Sequence, residues 1–225
     1  MDEFSQHRGW WGYHRAPPRP LSITQIIRAG TIDAELAALL WLLVEGRVPL
    51  VVAASAPLTG RTTILTALLD FLPPDTDRRF LHGDMEDFEW LPDAASLGWV
   101  GDHADAPRRA GRPGRFGLRD GPRPSDPSDT SATYLLASEL GPHLPVHTWG
   151  LQARVAVRAL QRGYGLGATI HAGSLEGVFE QLGASPVALT DDELRRLGVV
   201  IVLRLIGRDG EALHPREGTP DPEGG

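Results

Sequence analysis

Apolar and polar residues follow two periods along the chain, and these periods predict alternating helices and strands. A helix is predicted from residue 31 up to Gly46, with Leu36, Leu39, Leu40 and Leu43 on its apolar face. Short continuous apolar runs are typical of buried strands. Strands are therefore predicted at residues 48–54, 79–82, 132–139, 166–170 and 199–205.

Helical spacing recurs between these strands. The further helices are predicted at residues 22–29, 62–71, 149–161, 174–182 and 191–197. Ser22 and Thr190 are the predicted N-cap residues of two of them. Strands that alternate with helices favour an α/β fold, with a mostly parallel sheet flanked by helices.

One domain over residues 21–206 accounts for these elements, with a disordered tail predicted at residues 1–20 and another at residues 207–225. Residues 101–131 mix Pro, Gly, Asp and Arg, and Phe116 and Leu118 are their only large apolar side chains. Such a segment buries too little apolar surface to order itself, so a mobile insert is predicted there.

Residues 55–63 read Ser-Ala-Pro-Leu-Thr-Gly-Arg-Thr-Thr and lie between a predicted strand and a predicted helix. A phosphate-binding P-loop has Gly, four residues, and then Gly-Lys-Ser/Thr. Here Gly60 and Thr62 match that motif, while Ser55 replaces the first Gly and Arg61 replaces the Lys.

Such a turn binds anions because backbone N–H groups and the start of the next helix point at one spot. Arg61 keeps the positive charge, and Thr62 keeps the hydroxyl that ligates Mg²⁺ in these loops. Ser55 costs about 1–2 kcal/mol if the loop needs a left-handed residue there. We expect phosphate binding to survive more readily than fast hydrolysis; the alternative is a plain strand-turn-helix corner that binds nothing.

The charge of the chain argues against a general nucleic-acid-binding surface. All 22 basic residues are Arg, and they are outnumbered by 29 acidic residues, which gives a formal net charge of −7. The Arg-rich stretch at residues 108–123 is interspersed with Asp, which favours a solvated linker over a contact with nucleic acid or an acidic partner.

Metal, disulfide and membrane chemistry are also constrained by the sequence. The chain has no Cys, so it has no disulfides and no thiolate metal sites. His143 and His147 lack a clear third ligand for a metal ion. The longest apolar run, residues 36–44, falls short of the roughly 20 residues of a membrane span, and no signal peptide is predicted in residues 1–19. A soluble cytoplasmic protein is therefore expected.

Two polar residues lie where predicted strands end. Glu139 ends the strand at residues 132–139, and His171 directly follows the strand at residues 166–170. Ligands of parallel sheets bind beyond the carboxyl ends of the strands. Glu139 is therefore a candidate to hold magnesium or to orient water, with a solvated carboxylate as the alternative.

Four segments occur in the order seen in the secretion-superfamily ATPases. They are residues 31–41, residues 55–74 with Phe-Leu-Pro-Pro at their end, residues 85–89 (Met-Glu-Asp-Phe-Glu) and residues 168–172 (Ala-Thr-Ile-His-Ala). The chain thus resembles the motors of type II and type IV secretion, type IV pili and the archaellum, the archaeal branch above all. The resemblance covers residues 21–205 and implies the C-terminal RecA-like P-loop NTPase domain, without the N-terminal domain that such motors normally carry.

The resemblance implies a role for each matching residue. The ATP-binding loop would consist of Ser55, Gly60, Arg61, Thr62 and Thr63. Glu86 would be the acidic-box glutamate that positions Mg²⁺ and water, and Glu139 would be the Walker B glutamate. Thr62 would complete the Mg²⁺ ligands together with these two carboxylates. His171 would sense the terminal phosphate.

The implied cofactors are ATP and Mg²⁺, and the implied partners are a homo- or hetero-oligomeric ring of secretion ATPases and a membrane platform protein. This places the protein in the cytoplasm, peripheral to the inner face of the membrane. Direct contact with nucleic acid is not expected.

The chain departs from the family pattern at three places. Residues 140–143 (Leu-Gly-Pro-His) replace the usual Arg-Gly-acid run, residues 162–164 (Arg-Gly-Tyr) replace Thr-Gly-His, and a Pro-rich stretch at residues 122–129 replaces a helix. Two functions therefore remain open at this point. One is a motor ATPase subunit, and the other is a catalytically impaired regulatory or structural partner of an intact motor.

Overall fold

The computed structural model describes residues 20–56, 58–101 and 132–206. Residues 1–19 of the predicted N-terminal tail, residues 102–131 of the predicted insert and the predicted tail at residues 207–225 lie outside the described residues. Within the described ranges, no helix is both long enough and apolar enough to cross a membrane.

One sheet of parallel strands organises the described residues. Its strands are β1 (Leu50–Ala53), β2 (Asp77–Phe80), β3 (Thr133–Leu140), β4 (Gly165–Ile170) and β5 (Val199–Val202). Their order across the sheet is β2-β3-β4-β1-β5, and every neighbouring pair is parallel. The predicted α/β class with a parallel sheet is confirmed.

Helices connect the strands over both faces of the sheet. They are α1 (Ile23–Arg28), α2 (Ala34–Glu45), α3 (Arg61–Leu69), α4 (Gly150–Ala159), α5 (Leu175–Gly183) and α6 (Asp191–Leu194). Ser22 caps α1 and Thr190 caps α6, each through a reciprocal capping box, as the sequence predicts. These local hydrogen bonds fix the helix starts because they satisfy N–H groups that have no partner inside the helix.

Successive residues of β1 face opposite layers of the core. Leu50 and Val52 belong to a cluster with α1, α2 and α3, whereas Val51 and Ala53 belong to a cluster with α4 and α5. This alternation follows from the two-residue period of a strand. Because helices cover both faces, all four residues of β1 are buried, which explains their continuous apolar run.

The predicted apolar face of α2 is wrong in part. The buried residues of α2 are Ala37, Leu40 and Val44. Leu36 and Leu39 are 39% and 52% exposed. The helix carries more leucines than one face can bury, and packing against α1 and α3 selects the face that includes Ala37 and Val44.

Some element boundaries also differ from the predictions. β2 spans Asp77–Phe80 instead of residues 79–82, and all four of its residues are only half-buried. As the edge strand of the sheet it is covered less completely than the central strands, so its apolar pattern is weak. β5 ends at Val202, three residues before its predicted end.

Replacing Gly165 in β4 by Ala is expected to destabilise the fold by about 1–3 kcal/mol. A Cβ at this position would lie 2.1 Å from Cδ2 of Tyr134. That ring is fully buried, and its hydroxyl donates a hydrogen bond to the Val48 carbonyl at 3.0 Å, so it cannot move away freely. Urea unfolding measures the change in free energy.

Gly177→Ala in α5 is the matched control for Gly165→Ala. Its added methyl group makes only ordinary contacts, the nearest being Ser174 Oγ at 3.5 Å. Stability should therefore stay the same or rise slightly, because alanine favours helix over coil. Equal urea midpoints for the Gly165→Ala protein and the unmodified protein would show that the ring of Tyr134 can shift without loss of packing.

Candidate functional site

The turn between β1 and α3 places the start of a helix at the carboxyl edge of the sheet. Gly60 precedes α3 in the left-handed conformation, with φ of 87°, and no side chain caps the helix. The first N–H groups of a helix lack partners within the helix, and the helix dipole makes this end positive. The start of α3 therefore has the backbone arrangement that binds anions.

The loop turns at Leu58 rather than at Ser55. Leu58 has φ of 59°, whereas Ser55 is not among the residues with positive φ. The possible cost of a left-handed Ser55 therefore does not arise, and the strain lies at a side chain that is 98% exposed. The hydroxyl of Thr59 donates to the carbonyl of Ala56 at 3.0 Å and closes the turn.

Arg61, the residue at the position of the P-loop lysine, pairs with Glu139. The distance from Arg61 Nη2 to Glu139 Oε2 is 3.3 Å, and the two side chains are 14% and 16% exposed. Glu139 lies near the end of β3, and Arg61 begins α3 after β1, so the pair reaches across the end of β4. The structure thus brings together two predicted site residues and makes them neutralise each other.

Polar atoms without hydrogen-bond partners occur in this region, and one of them belongs to Arg61 itself. Among the described residues, the buried side-chain nitrogen or oxygen atoms without a hydrogen bond are Arg61 Nη1, His147 Nδ1 and Thr148 Oγ1. The backbone N–H of Thr148 donates to the Glu139 carbonyl at 2.9 Å, which ties this segment to the end of β3. Unpaired buried polar atoms normally mark a place where a ligand or ordered water binds.

His147 is electrostatically connected to the same pair. Burial lowers the pKa of His147 from 6.5; the charge of Glu139 opposes this effect, and the electrostatic interactions with His143 and Arg61 add to it. At neutral pH the imidazole is therefore uncharged and adds no second cation beside Arg61.

Glu86 is buried, and its carboxylate is engaged by its own segment. The backbone N–H of His82 donates to Oε2 at 3.0 Å. Oε1 accepts from the backbone N–H of Phe88 at 3.2 Å and from Trp90 Nε1 at 2.9 Å. Glu86 is 3% exposed, and among the described residues none of its hydrogen bonds or ion pairs reaches residues 55–63 or Glu139. The structure gives Glu86 the geometry of a loop-organising residue.

The side chain of His82 contacts the same carboxylate. His82 Nδ1 lies 3.5 Å from Glu86 Oε2, and the imidazole is 74% exposed. This contact raises the pKa of His82 from 6.5. Burial by itself raises the pKa of Glu86, but the hydrogen bonds from His82, Trp90 and Phe88 outweigh burial and lower it from 4.5.

His171 lies beside the loop, as its position in the sequence predicts. It directly follows Ile170, the residue of β4 that pairs with Ala53 at the end of β1. Its side chain is exposed, and its carbonyl accepts from Gln181 Nε2 at 2.9 Å. A Cβ on Gly173 would lie 3.2 Å from Ser55 Cβ, so the segment after β4 packs closely on the first position of the loop.

The fit of the site to Mg²⁺ is incomplete in this conformation. The Glu139 carboxylate pairs with Arg61, and both oxygens of Glu86 accept hydrogen bonds within the segment of Glu86. In the described residues, no group of three or more His, Cys, Asp or Glu side chains is arranged to hold a metal ion. The hydroxyl of Thr66 donates a hydrogen bond to the carbonyl of Thr62 at 2.8 Å. This bond engages the backbone of Thr62 and not its side-chain hydroxyl.

Three residues of this region were not predicted to contact Glu86 or Glu139, namely His82, Trp90 and His147. His82 precedes Glu86 by four residues, and Trp90 follows it by four residues. This spacing is a local sequence signal from which both contacts with Glu86 could have been predicted. His147 has no such signal. It approaches Glu139 and Arg61 only because the segment after β3 folds back, where Leu140 forms a bridge with Thr148.

Comparisons with known proteins identify relatives of unassigned function. The chain is 28% identical over 192 residues to the uncharacterized protein MJ1287 of Methanocaldococcus jannaschii, which covers 81% of this chain and 62% of that protein. It is 25% identical over 194 residues to the uncharacterized protein MJ0900 of the same organism, covering 86% of this chain and 32% of that protein. The chain thus spans less than two thirds of the length of these relatives. No protein-family model matches it.

Proposed function

We propose that this chain is a RecA-like nucleotide-binding domain of the secretion-ATPase kind, which binds ATP with Mg²⁺ at residues 55–63 and hydrolyses it slowly. The parallel sheet and the anion-binding geometry at the start of α3 support nucleotide binding. Arg61, Gly60 and Thr62 supply the charge, the turn and the Mg²⁺-ligating hydroxyl of such a loop.

The ion pair between Arg61 and Glu139 is the observation that carries the proposal. In this state the cation of the loop is held by a carboxylate instead of a phosphate, and the candidate Walker B carboxylate is held by a cation instead of Mg²⁺. Nucleotide must break the pair before either residue can act on it. Binding therefore competes with an interaction inside the protein, which lowers both affinity and turnover.

Several altered positions lower the expected rate together. Loss of one preorganised donor to a developing charge costs about 10²- to 10³-fold in rate. Loss of an arginine that stabilises the transition state costs about 10³- to 10⁵-fold. The loop carries Arg61 in place of Lys, and Glu86 has no acceptor oxygen without a hydrogen bond from its own segment. A catalytically impaired partner of an intact secretion or pilus motor is the role that fits best.

In that role the chain joins a ring of secretion ATPases at the cytoplasmic face of a membrane platform protein. Among the described residues no helix is long and apolar enough to span a membrane. A working motor subunit is the second candidate. The position of Glu139 favours a working motor, because a catalytic carboxylate has to lie next to the phosphate-binding loop. Glu139 Oε2 lies 3.3 Å from Arg61 Nη2 of that loop.

Calorimetry with ATP and Mg²⁺, followed by phosphate release on the same sample, tests the proposal. We expect measurable binding that Arg61→Ala abolishes, because the variant removes the loop cation. Arg195→Ala is the matched control, since it removes an exposed arginine that pairs only locally with Asp192. That control should bind ATP like the unmodified protein.

The outcomes separate the candidates. Binding with little phosphate release supports an impaired partner, and binding with rapid release supports a working motor. Failure to bind ATP at millimolar concentration, or equal binding by Arg61→Ala and Arg195→Ala, would overturn nucleotide binding at this loop.

A further inference from the structure

An apolar stripe on the outer side of α2 lies outside both core clusters. Leu36, Leu39 and Leu42 follow one another at a spacing of three residues and are 39%, 52% and 68% exposed. Large apolar side chains that recur at helical spacing normally turn towards a core. A contiguous patch of them that stays exposed indicates an interaction surface.

The stripe continues into a shallow groove where α1 ends and α2 begins. The groove has a volume of about 550 Å³, and its lining includes Ile27, Ile32 and Leu36. Negative charge flanks the surface, because Asp33 caps α2, Glu35 lies in its first turn and Glu45 ends it, whereas α2 contains no basic residue. A matching partner would present apolar side chains together with positive charge.

Residues 4–19 of the same chain have this composition. Their large apolar or aromatic side chains are Phe4, Trp10, Trp11 and Tyr13, and their charged residues are Arg8, Arg15 and Arg19. Two of the six tryptophans of the chain thus lie in this short stretch, without any Asp or Glu between residues 4 and 19. Aromatic and Arg side chains are the ones enriched at protein interfaces.

The connection to the domain also favours this segment. Residue 20 leads directly to α1, and α1 contacts α2 and ends at the groove. Nineteen residues reach as far as about 60 Å when extended, whereas a 12-residue helix is about 18 Å long. A tethered segment is present at an effective concentration of about millimolar, which favours binding within the same chain.

We propose that residues 4–19 dock on the α2 stripe of their own chain, with Trp10 and Trp11 against Leu39 and Leu42. The arginines of the segment pair with the acidic residues at both ends of α2. A second copy of the chain is a poorer occupant of the stripe. In a symmetric contact between two α2 helices, Asp33, Glu35 and Glu45 would face one another, and α2 itself supplies no basic residue to pair with them. This docking is independent of nucleotide binding.

Limited trypsin digestion of the full chain tests the docking. Trypsin cuts after Arg or Lys, and this chain has no Lys, so Arg8 and Arg15 are the cleavage points within the segment, since Arg19 precedes Pro20. Intact-mass measurement follows the cleavage after Arg15. We expect Leu39→Glu with Leu42→Glu to speed this cleavage about tenfold, because cleavage tracks the population of the undocked state.

Two further variants sharpen the test. Trp10→Ser with Trp11→Ser should speed the same cleavage by a similar factor, and it leaves the folded domain unchanged. Ala38→Glu is the control for the nature of the substitution, because it adds one negative charge at an exposed position of α2 that does not belong to the stripe. It should leave the cleavage rate unchanged.

Equal cleavage rates for the unmodified protein and both double variants would overturn the proposal. Protection that increases with protein concentration, together with a dimer mass in sedimentation equilibrium, would also overturn it and would assign the stripe to a second copy. Circular dichroism checks that the helix content of the Leu39→Glu, Leu42→Glu variant equals that of the unmodified protein. If that variant unfolds, the tryptophan variant decides the result alone.

Discussion

Replacing Glu139 by Gln is expected to tighten ATP binding about tenfold and to slow phosphate release about 100-fold. The two effects have opposite directions because Glu139 has two roles in the proposed cycle. At rest its carboxylate holds Arg61 at 3.3 Å and competes with the phosphates for that cation. In the proposed hydrolysis the same carboxylate would help to hold Mg²⁺ and to orient water, which an amide would do poorly.

The expected gain in affinity follows from the strength of the ion pair. Exposed pairs contribute about 0–1 kcal/mol, whereas loss of one partner from a partly buried pair leaves the other charge uncompensated. A phosphate that compensates the freed Arg61 is therefore expected to gain about 1.4 kcal/mol, or tenfold in affinity. Gln has nearly the same size as Glu, and its amide oxygen can still accept a hydrogen bond from Arg61. The fold should therefore remain intact, and calorimetry with ATP and Mg²⁺ gives the dissociation constant.

Glu193→Gln is the matched control for this experiment. It removes the same charge from another partly buried pair, in which Arg158 Nε lies 2.5 Å from Glu193 Oε1. That pair joins α4 to α6 and involves none of residues 55–63. ATP affinity should stay unchanged in the control. Weaker ATP binding by Glu139→Gln would show that the carboxylate helps to hold the nucleotide, and it would contradict the competition.

Replacing Glu86 by Gln is expected to destabilise the domain by about 2–3 kcal/mol. The buried carboxylate accepts hydrogen bonds from three N–H groups, those of the His82 backbone, the Phe88 backbone and the Trp90 indole. Gln has only one acceptor oxygen, and its NH₂ group would face at least one of these donors. Urea unfolding measures the loss.

Asp87→Asn is the control for Glu86→Gln. Asp87 is exposed, and its carboxylate accepts one hydrogen bond, from the Glu89 backbone at 3.0 Å. The change should cost less than about 1 kcal/mol, because water can replace an exposed hydrogen bond. If both substitutions have the same small effect, Glu86 does not organise its loop, and its role as a Mg²⁺ ligand regains support.

The pH dependence of stability should distinguish Glu86→Gln from the unmodified protein. The pKa of Glu86 in the folded state is below 4.5, so its contribution is present above pH 4.5 and is lost as the pH falls through the lowered value. The pKa of His82 is above 6.5, so the contribution of its contact with Glu86 is present below pH 6.5 and is lost as the pH rises through the raised value. The difference in stability between the two proteins should therefore be largest between pH 4.5 and 6.5.

Local patterns were sufficient to predict most of the fold. The continuous apolar run of β1, the capping boxes of α1 and α6 and the Gly60 turn are signals within a few residues of each other. Each of these signals depends only on hydrogen bonds or on side-chain periodicity within one segment, so it can be recognised in the sequence alone. The position of β2 was predicted two residues late because an edge strand is only half covered and carries a weak apolar pattern.

The buried face of α2 could not be predicted from its leucines. Ala37 and Val44 are buried, while Leu39 and Leu42 are exposed, although leucine has the larger apolar side chain. Which face of a helix points inwards depends on the neighbours against which it packs, here α1 and α3. The surplus apolar surface then requires a partner, for which residues 4–19 are our proposal.

The sequence by itself determined the parallel α/β architecture and the position of a phosphate-loop-like turn at residues 55–63. Only the tertiary structure decided that Arg61 pairs with Glu139, because the two residues are far apart in the chain and meet through the strand order β3-β4-β1. It also decided that the carboxylate of Glu86 accepts its hydrogen bonds from its own segment, because burial and the path of the backbone determine which donors reach it. Residue types define what chemistry is possible, whereas the distances and burial created by folding determine which groups neutralise one another and which remain available for a ligand.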